Sequence, residues 1–210
     1  MLNVLVTMPF GETLLAPIRS VSPKLSVTCE DAQRADYSRA DVLYAGSPPR
    51  DLGRAPSLKW VQLHMAGVNA LADHPLYTDT SVLLTTTSGV HAATIAEYTI
   101  TVLLALAHRV PRMVEWQKKG GWPPDGDRWS LFVPTELRGS TLGIIGYGSI
   151  GRELARIATT AFGMTVLACK RDPSRREDPG YALPGTGDPR GDLPEAWFPP
   201  EKLSELLARS

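Results

Sequence analysis

The stretch TLGIIGYGSIGRELA, Thr141 to Ala155, constrains this chain more than any other. TLGII is a short apolar run that reads as a buried strand, and SIGRELARIATTAF, Ser149 to Phe162, reads as a helix with few breakers. Between them Gly146, Gly148 and Gly151 form G-x-G-x-x-G. In a chain with 18 glycines the pattern alone is weak, and the strand–turn–helix context gives it weight. Gly146 would allow the tight turn, Gly148 would let backbone approach a pyrophosphate, and Gly151 would let helix and strand pack closely. The expectation is a bound dinucleotide, with a merely structural turn as the alternative.

The next strand, MTVLAC (Met164 to Cys169), bears on which dinucleotide. An acidic residue about twenty positions past the motif would accept hydrogen bonds from the ribose 2′-hydroxyl of NAD. That place falls near Lys170 in the sequence CKRD. Lys170 and Arg171 could pair with a 2′-phosphate, which favours NADP, whereas Asp172 would favour NAD if the loop shifts by two residues.

The first ninety residues contain five short apolar runs: Asn3 to Met8, Leu25 to Thr28, Val42 to Gly46, Leu58 to His64 and Val82 to Thr86. Bounded by Pro, Gly, Ser or Asp, they predict the strands of a parallel sheet covered on both faces. HMAGVNAL, His64 to Leu71, follows the fourth run, and a Gly-containing turn there could offer the backbone N–H groups of Ala66, Gly67 and Val68 to a small carboxylate. An ordinary strand-to-helix turn is the plainer reading.

From His91 the character changes. Apolar residues at Ile95, Tyr98, Val102, Leu106 and Val110 predict a helix from about Ala92 to Ala107, kinked at Pro111 before continuing to Lys119. GGWPPDGDRWSLFVPTEL, Gly120 to Leu137, reads as an extended arm whose Trp122, Trp129 and Phe132 pack on another domain or subunit. Lys170 to Pro200 is too rich in Gly, Pro and charge for regular structure, and PEKLSELLARS closes the chain as a short helix with no further strand. A two-stranded sheet of that kind would expose an apolar edge.

Other chemistries find no support. Lysines plus arginines number 22, as do aspartates plus glutamates, so no net charge draws nucleic acid or an anionic membrane. The two cysteines, Cys29 and Cys169, read as buried free thiols, and neither they nor the four histidines have metal-ligand spacing. His64, His74, His91 and His108 read as structural or surface residues. The apolar run Ile100 to Ala107 is far too short to span a bilayer, and the N-terminus lacks a signal pattern, so a cytoplasmic protein is expected.

LHMAGVNAL, TTTSGVHAATIAEYTITVLLALAHRV and LRGSTLGIIGYGSIGRELARIATTAFGMTVLAC, in this order and spacing, resemble the D-isomer-specific 2-hydroxyacid dehydrogenase family. The resemblance implies an α/β chain: a flavodoxin-like N-terminal substrate domain (1–90), an inter-domain helix and arm (91–137), and an incomplete Rossmann domain (138–210). It implies hydride transfer between NAD(P)H and a small 2-oxo or 2-hydroxy acid, usually in a homodimer. Ala66, Gly67 and Val68 would then bind the substrate carboxylate, and Gly146, Tyr147, Gly148, Ser149, Ile150 and Gly151 would surround the pyrophosphate. Glu97 and Arg109 match the inter-domain helix. Two departures stand out: Thr86 replaces a common asparagine, and Lys170 replaces the ribose-binding acid. The arginine, carboxylate and histidine of the family's catalytic trio match no residue here, so the expectation is a truncated chain that is inactive alone, or a non-catalytic dinucleotide-binding or regulatory remnant.

Overall fold

In the computed structural model, which describes residues 1–78 and 81–210, the apolar runs of the first half become five parallel strands. They are β1 (Leu2–Val6), β2 (Leu25–Cys29), β3 (Val42–Ala45), β4 (Trp60–Leu63) and β5 (Leu83–Thr85), in the order β2-β1-β3-β4-β5. This is the flavodoxin-like order, and the winding reverses between β1 and β3. Side chains alternate across the sheet with period two. Leu5, Leu43, Ala45, Val61 and Leu63 enter one buried cluster, while Val4 and Val6 enter another with Leu15. The segments between the strands form short helices and turns: α1 (Glu12–Ser20), α2 (Pro75–Thr78) and short 3₁₀ turns. Irregular chain around Ala35 and Tyr37 fills the rest of one face, because Tyr37 is bulky enough to close it and hydrogen-bonds to the Ala32 carbonyl.

These strands belong to one unit, Met1–Ser88, and Gly89–Ser210 forms a second. The second contains α3 (Ala92–Ala107), α4 (Val110–Lys118), α5 (Asp125–Phe132), β6 (Thr141–Ile145), α6 (Ser149–Phe162), β7 (Thr165–Cys169), β8 (Ala196–Phe198) and α7 (Leu203–Arg209). Its sheet is parallel, in the order β6-β7-β8. Val166 and Ala168 face α3 and α6 through Ala96, Ile100, Leu154 and Ala158. Leu167 and Cys169 face the other way, toward Phe198 of β8 and Leu206 of α7.

Three sequence expectations change here. The long helix breaks at His108 and Arg109, not at Pro111, and Arg109 adopts a left-handed φ of 56°. Pro111 lies in the first turn of α4, where a missing N–H costs nothing. Within the predicted arm, α5 forms from DGDRWSLF, with Asp125 and Asp127 favourably placed in its first turn. Most important, the supposedly structureless segment contains β8, which pairs with β7 and covers the edge that would otherwise be bare. Three residues, AWF, are too few to show a period.

The remainder of that segment is ordered by polar contacts with α6. Arg152 and Glu153 are 3% and 2% exposed. Arg152 donates to the carbonyl of Arg176 at 2.6 Å and also to that of Asp188. Glu153 accepts from the Gly187 N–H at 2.6 Å and from Arg156 Nε and Nη2 at 2.8 and 2.6 Å. Asp178 N–H closes the loop on itself by donating to Pro189 at 2.9 Å.

The Arg156 guanidinium, followed by the Gly187 N–H, holds the Glu153 carboxyl below its ordinary value of 4.5. A depressed folded-state value stabilises the fold above the ordinary value and loses that contribution as pH falls through the folded one. Glu153→Gln should therefore cost about 1–3 kcal/mol at pH 7. The deficit against the parent chain, read from urea unfolding, should shrink progressively below pH 4.5. A deficit independent of pH would show that charge on Glu153 plays no part.

Candidate functional site

The glycine turn begins where β6 ends. Gly146 has φ +94°, the left-handed region that a side chain disfavours. At Gly151 a Cβ would stand 2.5 Å from the Gly146 carbonyl oxygen and 3.0 Å from Ile144 Cγ2. Helix and strand approach this closely only because the side chain is a hydrogen. Gly148 caps α6 in extended conformation and contributes no side-chain acceptor. The first-turn amides of α6 have no intrahelical partner, so they remain for an anion.

A cavity of about 410 Å³ opens on this turn, lined by Gly146, Gly148, Lys170, Arg171, Asp178 and Leu203 among others. A Cβ at Gly146 or Gly148 would meet nothing within 4 Å, so both face open space. Lys170 is held at the mouth, its N–H bonded to Phe198 at 3.0 Å and its Nζ to the Arg175 carbonyl at 2.6 Å. Arg171 is exposed. Asp172 turns back on its own loop, accepting from Ser174 N and Oγ at 3.1 and 2.6 Å, and these bonds lower its carboxyl pKa. The residues present thus fit a dinucleotide: glycine backbone and first-turn amides of Ser149 and Ile150 for the pyrophosphate, cations at the strand end. When bound, a nicotinamide dinucleotide supplies or accepts a hydride.

Tyr147 behaves differently from its neighbours. Its ring is buried, packs edge-on against Trp197 at 4.9 Å, and donates its hydroxyl to Asp188 Oδ2 at 2.7 Å. Burial, then the Asp188 bond, pushes its phenol pKa upward. Only its backbone is left to meet a ligand. Arg152, Glu153, Asp178 and Asp188 were not singled out in the sequence. The available signal was an Arg-Glu pair directly after Gly151, in the first turns of the helix.

In the first unit, Ala66, Gly67 and Val68 follow β4, at the carboxyl end of the sheet where α/β folds bind ligands. Ala66 and Gly67 are exposed, and among the described residues their N–H groups and that of Val68 donate no hydrogen bond. Thr87 pins the entry to this turn, its hydroxyl donating to the His64 carbonyl at 2.9 Å and its N–H to Met65 at 3.3 Å. His64 Nδ1 lies 2.9 Å from the Tyr44 hydroxyl, with Phe10 against both rings. His74 is buried and accepts from the Leu76 N–H, while His91 and His108 are exposed at the two ends of α3. Among the described residues no histidine pairs with a carboxylate, no cluster could hold a metal, and no helix is long and apolar enough to cross a membrane.

The family profile described as "D-isomer specific 2-hydroxyacid dehydrogenase, NAD binding domain" matches residues 100–184. A glyoxylate reductase of Aeropyrum pernix is 35% identical over 147 residues, 65% of this chain and 42% of that protein. A D-3-phosphoglycerate dehydrogenase of Methanocaldococcus jannaschii is 30% identical over 174 residues, 80% of this chain and 32% of that one. The crystal structure of a D-isomer specific 2-hydroxyacid dehydrogenase family protein from Aeromonas salmonicida superposes on all of this chain and 61% of its own, with TM-score 0.73 and 26% identity. This chain therefore spans less than half the length of these curated relatives. With the glycine turn, the sheet orders and these relatives in agreement, the chain belongs to the D-isomer-specific 2-hydroxyacid dehydrogenase family.

Proposed function

We propose that this chain binds a nicotinamide dinucleotide, NADP in preference to NAD, at the Gly146–Gly151 turn. The observation that carries this reading is the open turn itself, where glycine backbone and the α6 N-terminus face a cavity also lined by Lys170 and Arg171. Asp172, the acid that would have favoured NAD, is engaged in its own loop. The reaction class we infer is hydride transfer between NAD(P)H and a small 2-oxo acid, glyoxylate being the substrate named for several relatives. The Ala66–Val68 amides would hold its carboxylate. None of the four histidines has the carboxylate partner that a general acid of this type requires among the described residues, so binding without turnover by the 210-residue chain is the expected behaviour. A cytoplasmic setting goes with this reading.

Titration of the purified chain with NADPH and NADH, followed by cofactor fluorescence, should give tighter binding of NADPH. Lys170→Asp should weaken NADPH by roughly 10-fold or more, the scale of one lost charge-assisted contact to a phosphate. Equal affinities in the parent chain would remove the NADP preference, and steady oxidation of NADPH by glyoxylate would overturn the expectation of inactivity.

A homodimer is the assembly we infer. Its support is exposed apolar side chains on α3 and α4: Tyr98 and Leu106 are 69% and 57% exposed, and Val110, Met113 and Val114 are exposed as well. Light scattering should give twice the mass of one chain, and Leu106→Glu should give a monomer. A monomeric parent chain would contradict this assembly.

A further inference from the structure

Asp188 is 6% exposed, 41 residues beyond Tyr147 in sequence, and is fully engaged. Its Oδ1 accepts from Asp192 N–H at 3.0 Å, and its Oδ2 accepts from Leu193 N–H at 3.1 Å as well as from the Tyr147 hydroxyl. Its carbonyl accepts from Arg152, the residue after Gly151. The Arg152 guanidinium also lies 5.0 Å over the Tyr147 ring and 3.3 Å from Asp178 Oδ2. The segment 176–193 therefore grips the glycine turn on both flanks: Tyr147 before Gly148 and Arg152 after Gly151.

Filling the core behind the turn would require only a phenylalanine. A hydroxyl aimed at a buried carboxylate does more, because a buried charge is tolerable only when its hydrogen-bond partners are held in place. The carboxylate of Asp188 is satisfied in one arrangement, and that arrangement includes the position of Tyr147. Since Tyr147 lies between Gly146 and Gly148, its anchoring fixes the backbone that a pyrophosphate would meet.

We propose that Tyr147 and Asp188 are positioning residues for the dinucleotide site, through which the segment 176–193 holds the glycine turn in its binding geometry. This rests on the reading that the turn binds a dinucleotide. Neither side chain touches the ligand, and the effect passes through the backbone of the turn. Reciprocity follows: if the segment organises the turn, nucleotide bound at the turn steadies the segment.

Tyr147→Phe tests this, since it keeps the ring against Trp197 and removes only the hydroxyl. The expected result is NADPH binding weakened by about fivefold to fiftyfold. Hydrogen exchange at the amides of Gly187, Asp192 and Leu193 supplies the second readout. NADPH should slow it in the parent chain and should not in Tyr147→Phe. Binding within about twofold of the parent, with the nucleotide-dependent protection intact, would overturn the proposal even if thermal stability falls, and would leave the dinucleotide reading standing. Should Tyr147→Phe fail to fold, Asp188→Asn, which retains one acceptor, is judged by the same two readouts. A parent chain that binds neither NADPH nor NADH would sink the dinucleotide reading and this proposal together.

Discussion

The close approach of α6 to β6 at Gly151 is the constraint on which the second unit depends. With a Cβ there standing 2.5 Å from the Gly146 carbonyl, any side chain would force the helix off the strand. Because it stays, α6 can bury Leu154, Ala155 and Ala158 against Ile144 and Val166, and α3 can add Ala96 and Ile100 to the same cluster. The same geometry aims the N-terminus of α6 at open space beyond the strand end. The packing of helix on strand and the open anion site proposed at the turn thus both depend on one hydrogen atom where other residues carry carbon.

Polar burial then determines what the long connection does. Segment 170–195 has too few apolar side chains to fold by hydrophobic collapse, yet Arg152, Glu153 and Asp188 are almost wholly withdrawn from water. Burying such groups is unfavourable unless each is bonded, and here loop backbone supplies the partners: Arg176 and Asp188 carbonyls, and the Gly187, Asp192 and Leu193 N–H groups. The loop is held in place by α6, and β8 follows from it in register beside β7.

The sequence made the strands and the glycine turn legible because both rest on local pattern. Apolar runs of four to seven residues bounded by Pro, Gly, Ser or Asp located all five strands of the first unit, and G-x-G-x-x-G between strand and helix located the turn. What stayed hidden was non-local. Nothing near Asp188 announces that it answers Tyr147 forty-one residues earlier, and β8 is too short to show alternation. The break at Arg109 was displaced to Pro111 because proline is the visible breaker, although proline in a first turn is harmless. The Arg-Glu pair after Gly151 is buried because backbone of the loop at Arg176, Gly187 and Asp188 bonds it, and those partners lie more than twenty residues away in sequence.

The account stands on the location of the dinucleotide more than on its identity. Amide chemical shifts in an isotope-labelled chain, recorded during titration with NADPH, address that location directly. The account predicts the largest changes at Gly148, Ser149 and Ile150, where the turn passes into α6. Changes confined to other regions, such as the apolar cavity lined by Met113, Trp116, Trp122 and Phe132, or none at all, would contradict it.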